Sequence, residues 1–240
     1  MHLPKFLFSL ALLSVTVLPE PARAESLTRI EGHDFGKMPD GTVIRQFTLR
    51  NANGMVVKVM TFGAMLNEIE APDRRGVFTN VVLGTNSFEA YLNNTFTAQA
   101  QVIGRVANRI ANARFTLDGV EYHLDANAGP HQIHGGRNGF GRQVWQARML
   151  PPGRHEASVR LTHFSPDGED GFPGNVTVSI TYTLTDRNEL RLDFQATTDK
   201  ATPINLCCHP YFNLAGHGNI RDQVLWLNAD HYTPLSLIHI

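Results

Sequence analysis

The sequence predicts an all-β domain, a sandwich or a barrel. Three observations carry that expectation. Short alternating or β-branched runs recur along the chain, clusters of Gly, Pro, Asn and Asp bound them, and helical periodicity is confined to one brief segment. With 42% hydrophobic and 18% charged residues in 240, the composition is that of an ordinary globular chain with enough apolar mass for a sizeable core.

The elements follow in order. Val43 to Arg50 (VIRQFTLR) alternates and ends in the turn cluster Asn51-Ala52-Asn53-Gly54. Met55 to Phe62 (MVVKVMTF) is a β-branched run, and Pro72 to Gly76 turns the chain toward a strand at Val81-Val82-Leu83. Ser87 to Leu92 (SFEAYL) is the short helix, with Ser87 placed to cap it. Phe115-Thr116-Leu117 and Val120 to Leu124 flank Asp118-Gly119, the pair a type I′ hairpin turn requires. Ala157 to His163, Val176 to Leu184 and Leu190 to Ala196 are longer strands. Asp186-Arg187-Asn188 joins the last two, and the alternation of VTVSITYTL predicts a half-buried strand with one face outward. Val224 to Asn228 is a final strand. No repeat or linker divides these elements, so residues 25–240 read as one domain.

Residues 1–24 stand apart. Lys5, the apolar run Phe6 to Leu18 and the small-x-small site Ala22-Arg23-Ala24 follow one another as in a secretory signal peptide, with cleavage near Ala24. A secreted or periplasmic location is expected, with no membrane association after cleavage. The net charge of −1 gives no electrostatic basis for binding nucleic acid. An oxidising compartment favours disulfides, yet the two cysteines are the neighbours Cys207 and Cys208, which the geometry of the bond disfavours as a pair. Asn93-Asn94-Thr95 and Asn175-Val176-Thr177 match the short glycosylation sequon. The sequence carries no signature of a particular oligomeric state.

Three segments hold residues suited to chemistry. In Ile103 to Ile110 (IGRVANRI), polar positions interleave with apolar ones and end at Asn108-Arg109. They are either the solvated end of a strand or a polar cradle, in which Asn donates and accepts while Arg offers a fork of donors. Gly129 to Gly136 (GPHQIHGG) holds His131 and His134; its glycines and proline disfavour the helix that metal binding at that spacing would use. In Cys207 to Gly216 (CCHPYFNLAG), a metal site, a redox pair and a cysteine nucleophile all lack supporting motifs. The residue before proline is held extended, so His209 and Tyr211 share one face and Cys208 points the other way. On these residues alone, His209 and Tyr211 read as core residues.

Taken together, GRVANRI, FTLDGVEYHL, IHGG with Phe140 and Trp145 following, DGEDGFPGN and HPYFNLAG occur in an order that resembles the aldose 1-epimerase (galactose mutarotase) family. The resemblance extends from about Gly32 to Pro234 and includes FGAMLNEIEAPDRRGVFTNVVLG. It implies a large twisted antiparallel β-sandwich with an open cleft, and interconversion of the α and β anomers of free aldohexoses without metal or organic cofactor. A histidine protonates the ring oxygen and a glutamate takes the C1 hydroxyl proton. By the resemblance His209 is the acid, His134 the second active-site histidine, and Asn108, Arg109 and Tyr211 bind sugar.

Two departures stand out. Cys208 replaces the family's usual Asn before the acid, which alternation makes a packing change. Leu235 to Ile240 does not continue the family pattern beyond Tyr232-Thr233-Pro234, so the chain is expected to be C-terminally truncated, with the base lying in the missing part. Neither Glu189 nor another glutamate fills that role, and impaired catalysis and open strand edges are expected. A noncatalytic carbohydrate-binding sandwich is the alternative. An epimerase of phosphorylated hexoses or a metal enzyme built on His131, His134 and His209 fits the sequence less well.

Overall fold

The computed structural model describes residues 27–93 and 99–231. The signal peptide expected at 1–24, the sequon positions Asn94 and Thr95, and the segment from Tyr232 to Ile240 lie outside the described residues.

Five strands, β1 (Ile30–Lys37), β2 (Val43–Arg50), β3 (Val56–Met60), β4 (Leu66–Pro72) and β5 (Phe78–Asn80), form one antiparallel sheet in sequence order. The helix α1 (Phe88–Leu92) follows, with the Ser87 hydroxyl accepting from the Ala90 N–H as its cap. Short strands β6 (Val102–Ile103), β7 (Arg109–Ile110), β8 (Arg114–Leu117), β9 (Val120–His123) and β10 (Gln132–Ile133) make up the middle of the chain. The second large antiparallel sheet is β11 (Gln146–Met149), β12 (Glu156–Ser165), β13 (Val176–Thr185) and β14 (Leu190–Thr198), again in sequence order. The last strand is β15 (Cys207–Cys208).

The two large sheets face each other across one core. Ile44, Phe47 and Leu49 of β2 and Val57 and Val59 of β3 pack with Ala157, Val159 and Leu161 of β12 and with Val178, Ile180 and Tyr182 of β13. Each such side chain contributes about 1.5–3 kcal/mol by leaving water, which makes this sandwich the main source of stability. The Tyr182 hydroxyl lies inside the core and donates to the Ala64 carbonyl at 2.7 Å, tying the second sheet to the β3–β4 turn. Among the described residues no helix is long and apolar enough to cross a membrane.

β2 spans the residues expected from its alternation. In the β8–β9 hairpin Asp118 and Gly119 have φ of 52° and 79°, the doubly left-handed turn that the Asp-Gly pair favours. Three expectations change. Val81 to Leu83 is no strand of its own; only Val82 bridges, to Phe212. β13 alternates in its first half only: from Tyr182 to Thr185 every residue is buried, Tyr182 and Leu184 in the shared core, while Thr183 bonds Ser158 and Thr185 accepts from the Glu189 N–H. Val224 to Asn228 forms no strand. Val224 and Trp226 are 95% and 78% exposed, since no described neighbour offers this segment a ladder.

Candidate active site

Two miniature antiparallel ladders bring the singled-out residues together. β15 pairs with β6, Cys207 opposite Ile103 and Cys208 opposite Val102. The ladder runs on past the cysteines: the His209 N–H donates to the Gln101 carbonyl at 3.0 Å, and the Ala100 N–H donates to the His209 carbonyl at 2.9 Å. β10 pairs with β7, Ile133 opposite Arg109, which sets His134 opposite Asn108. The segment from Ile103 to Ile110 belongs to both ladders, so it is the frame on which both histidines hang.

The rings of His134 and His209 meet edge to face with centroids 5.4 Å apart, and Tyr211 stacks on His209 at 5.0 Å. The shared face expected for His209 and Tyr211 is therefore present. The His134 N–H donates to the Asn108 carbonyl at 3.0 Å, and the Asn108 N–H donates to Nδ1 of His134 at 3.2 Å. A backbone N–H can only donate, so Nδ1 carries no proton and the neutral ring is protonated on Nε2. Burial, the neighbouring His209 and the Arg109 charge all hold the pKa of His134 below the ordinary histidine value. His134 is thus the ring kept neutral, a hydrogen-bond donor with fixed orientation. Arg109 donates from Nη1 to the Asn108 side-chain oxygen at 3.3 Å, while its buried Nε–H has no partner. An unused buried donor is costly until something accepts from it. A cleft of about 360 Å³, including the space open to solvent, lies beside His134 over Ile103 and Ile133 and carries the polar residues Gln101, Asn127 and Arg142 at its wall.

Cys208 turns into the main core, its sulfur 3.6 Å from the Tyr182 hydroxyl, and burial pushes its thiol up to about 11. That is the packing role expected from alternation. His131 is not joined to His134 in a common site; its Nδ1 accepts from the Asn112 N–H at 2.9 Å.

Neither sequence reading of the arginines fits Arg105. It is 2% exposed and turns inward, away from solvent and from the histidines. Its guanidinium donates to Ser165 Oγ (3.0 Å) and to the carbonyls of Ser165 (3.1 Å), Pro166 (2.9 Å) and Pro173 (2.8 Å). The close approach that this frame needs is made by glycine: a Cβ on Gly135, φ 82°, would lie 1.8 Å from the Gly104 carbonyl oxygen. Sequence reasoning did not single out Gln101, Asn127, Arg142, Arg105 or Asp170. The polar residues set among glycines in DGEDGFPGN were the available signal for the last.

His163 sits beneath the site, its ring against Phe140 (5.2 Å) and Trp145 (5.5 Å), with Nε2 buried and unpartnered. Burial, reinforced by the Arg105 charge, lowers its pKa to about 4. An unfolded histidine takes a proton near 6.5. The fold therefore loses stability from this group as pH falls from about 6.5 to 4, and has all of it above that window. His163→Phe is expected to stabilise the protein relative to wild type by an amount that grows between pH 7 and pH 4.5 in urea titrations. A stability difference independent of pH would contradict this account.

The family profile described as aldose 1-epimerase matches residues 45–238. The human galactose mutarotase is 42% identical over 204 residues, 84% of this chain and 57% of that protein. The aldose 1-epimerase of Escherichia coli K12 is 40% identical over 198 residues, 82% of this chain and 56% of that protein. Among solved structures, galactose 1-epimerase from Lactobacillus acidophilus superposes with a TM-score of 0.69 at 32% identity, covering 78% of this chain and 53% of that one. The chain thus spans little more than half the length of these relatives. On the family match and these identities, the chain belongs to the aldose 1-epimerase family.

Proposed function

We propose that this protein acts on free aldohexoses, interconverting their α and β anomers by general acid–base ring opening. The observation that carries the reading is the pairing of His209 with His134 at 5.4 Å, one ring held neutral and oriented by Asn108, beside the unsatisfied Arg109 donor. In the proposed reaction His209 protonates the ring oxygen as the C1–O5 bond breaks and the C1 hydroxyl loses its proton. The aldehyde then rotates about C1–C2, and the hydroxyl adds back to either face. His134, through Nε2–H, and Arg109 with Asn108 hold sugar oxygens, and Tyr211 supports the acid ring. Histidine suits the acid role because its ordinary pKa lies near neutrality.

The contacts described for His209 and His134 run to each other, Tyr211, Asn108 and Arg109, and no carboxylate is among them. We place the proton acceptor outside the described residues. Polarimetry of freshly dissolved α-D-glucose tests the reading: the expected result is a protein-dependent acceleration of mutarotation that is slow, as befits an acid without a described carboxylate partner. A second reading, sugar binding without turnover, is favoured by the same lack of a carboxylate. Saturation-transfer NMR showing bound sugar, with mutarotation at the buffer rate, would select it. Export to a secreted or periplasmic location is part of the proposal and rests on the order of features in residues 1–24. A processed chain beginning near Glu25 in the exported fraction is its check.

A further inference from the structure

His134 adopts φ 55°, a left-handed conformation uncommon for any residue with a side chain. Asn108 fixes the ring from one side. The chain on both sides of the ring is held by one residue, Asp170. It is 5% exposed and comes from the 3₁₀ turn Glu169–Gly171. Its carboxylate accepts the N–H of Arg137 at 3.1 Å and the N–H of Asn138 at 3.2 Å to each oxygen. These N–H groups directly follow His134-Gly135-Gly136. The Asp170 carbonyl accepts Nε2 of Gln132 at 3.2 Å, gripping the strand that enters His134. Gly136, φ 102°, makes room for the carboxylate: a Cβ there would lie 2.5 Å from Asp170 Cγ. The loop carrying Asp170 is itself tied down at Ser165, Pro166 and Pro173 by Arg105. A carboxylate this buried is costly unless donors answer it, and here backbone N–H groups do. Asp170 is not among the residues that line the cleft beside His134.

We propose that Asp170 is a positioning residue: by clamping both ends of the His134-Gly135-Gly136 turn it sets the His134 ring against Asn108 and His209. Its consequence for catalysis rests on the anomer-interconversion reading above; its structural consequence does not.

The test uses the 240-residue chain with ¹⁵N-labelled histidine, as wild type, Asp170→Ala and Asp170→Asn. Long-range ¹H–¹⁵N spectra report the His134 tautomer, and polarimetry on the same samples reports turnover. Wild type is expected to show His134 protonated on Nε2 alone. Asp170→Ala should give a mixture of Nδ1–H and Nε2–H forms, with protein-dependent kcat/KM for mutarotation down at least tenfold and KM raised, since His134 holds sugar in the proposed reaction. Asp170→Asn keeps one acceptor oxygen and should fall between. His155, on a distant hairpin, should be unmoved in all three. If Asp170→Ala does not fold, the test passes to Asp170→Asn. A His134 tautomer unchanged in the variants that fold overturns the proposal. A changed tautomer with no mutarotation even in wild type upholds the positioning role and removes the anomer reading instead.

Discussion

His209→Asn is expected to lower the protein-dependent mutarotation rate by about 10²–10⁴-fold, the usual contribution of a positioned general acid, which in practice means a return to the rate of buffer alone. The fold should survive the change. What joins this segment to β6 is the backbone pairing of Cys207, Cys208 and His209, and the His209 side chain is only half-buried, stacked on Tyr211. Asparagine keeps a polar group beside His134 and Tyr211 but cannot give up a proton at neutral pH. Sugar affinity, held mainly by Arg109, Asn108 and His134, should change far less than kcat. Polarimetric progress curves with thermal melting of the same samples separate these effects. A folded His209→Asn protein that keeps the wild-type rate would remove His209 from the acid role.

The largest loss of stability is expected at Arg105, a residue that touches no part of the proposed chemistry. Arg105→Leu fills much of the same volume but strands the acceptors of Ser165, Pro166 and Pro173 away from water. It also removes the positive charge that answers the nearby Glu169 and Asp170. Breaking a buried charged network from one side costs about 3–5 kcal/mol, and each orphaned acceptor about 1–3 kcal/mol if it stays dry. A total near the lower figure is expected, because some of the carbonyls can find water once the loop loosens. Arg105→Lys should recover little, since a single ammonium cannot reproduce a fork that donates to Ser165, Pro166 and Pro173 at once. Urea denaturation measures the loss, and a change below about 1 kcal/mol would mean that the network is dispensable.

The two variants sample different depths of the same frame. IGRVANRI contributes Arg105 to the interior and Asn108-Arg109 beside His134, so the segment that anchors the fold also carries the proposed sugar-binding pair. The alternation of this segment left both a solvated strand end and a sugar cradle open. The proposed function takes Asn108 and Arg109 as the cradle; buried Arg105 fits neither reading.

The sequence by itself determined what local chemistry can determine. The span of β2 was legible from a run of strand-forming residues closed by the Asn51–Gly54 turn cluster, although Gln46 to Leu49 are buried on both faces; the β8–β9 turn was legible because Asp118-Gly119 tolerates left-handed backbone, and α1 because Ser87 caps it. The opposed directions of Cys208 and His209 were also legible, since extended chains alternate and Pro210 holds its predecessor extended. Tertiary structure alone decided the rest. The strand expected at Val224 to Asn228 has the right residues, but a strand exists only where another chain segment completes its hydrogen bonds. Arg105 and Asp170 are charged residues that any composition-based reading places in water. They lie inside because distant segments, around 105, 135 and 170, converge and supply a full set of partners. The meeting of His134 with His209 arises the same way, from the pairing of β6 with β15 and of β7 with β10. Residue spacing encodes which face a side chain takes; only long-range pairing decides what it faces.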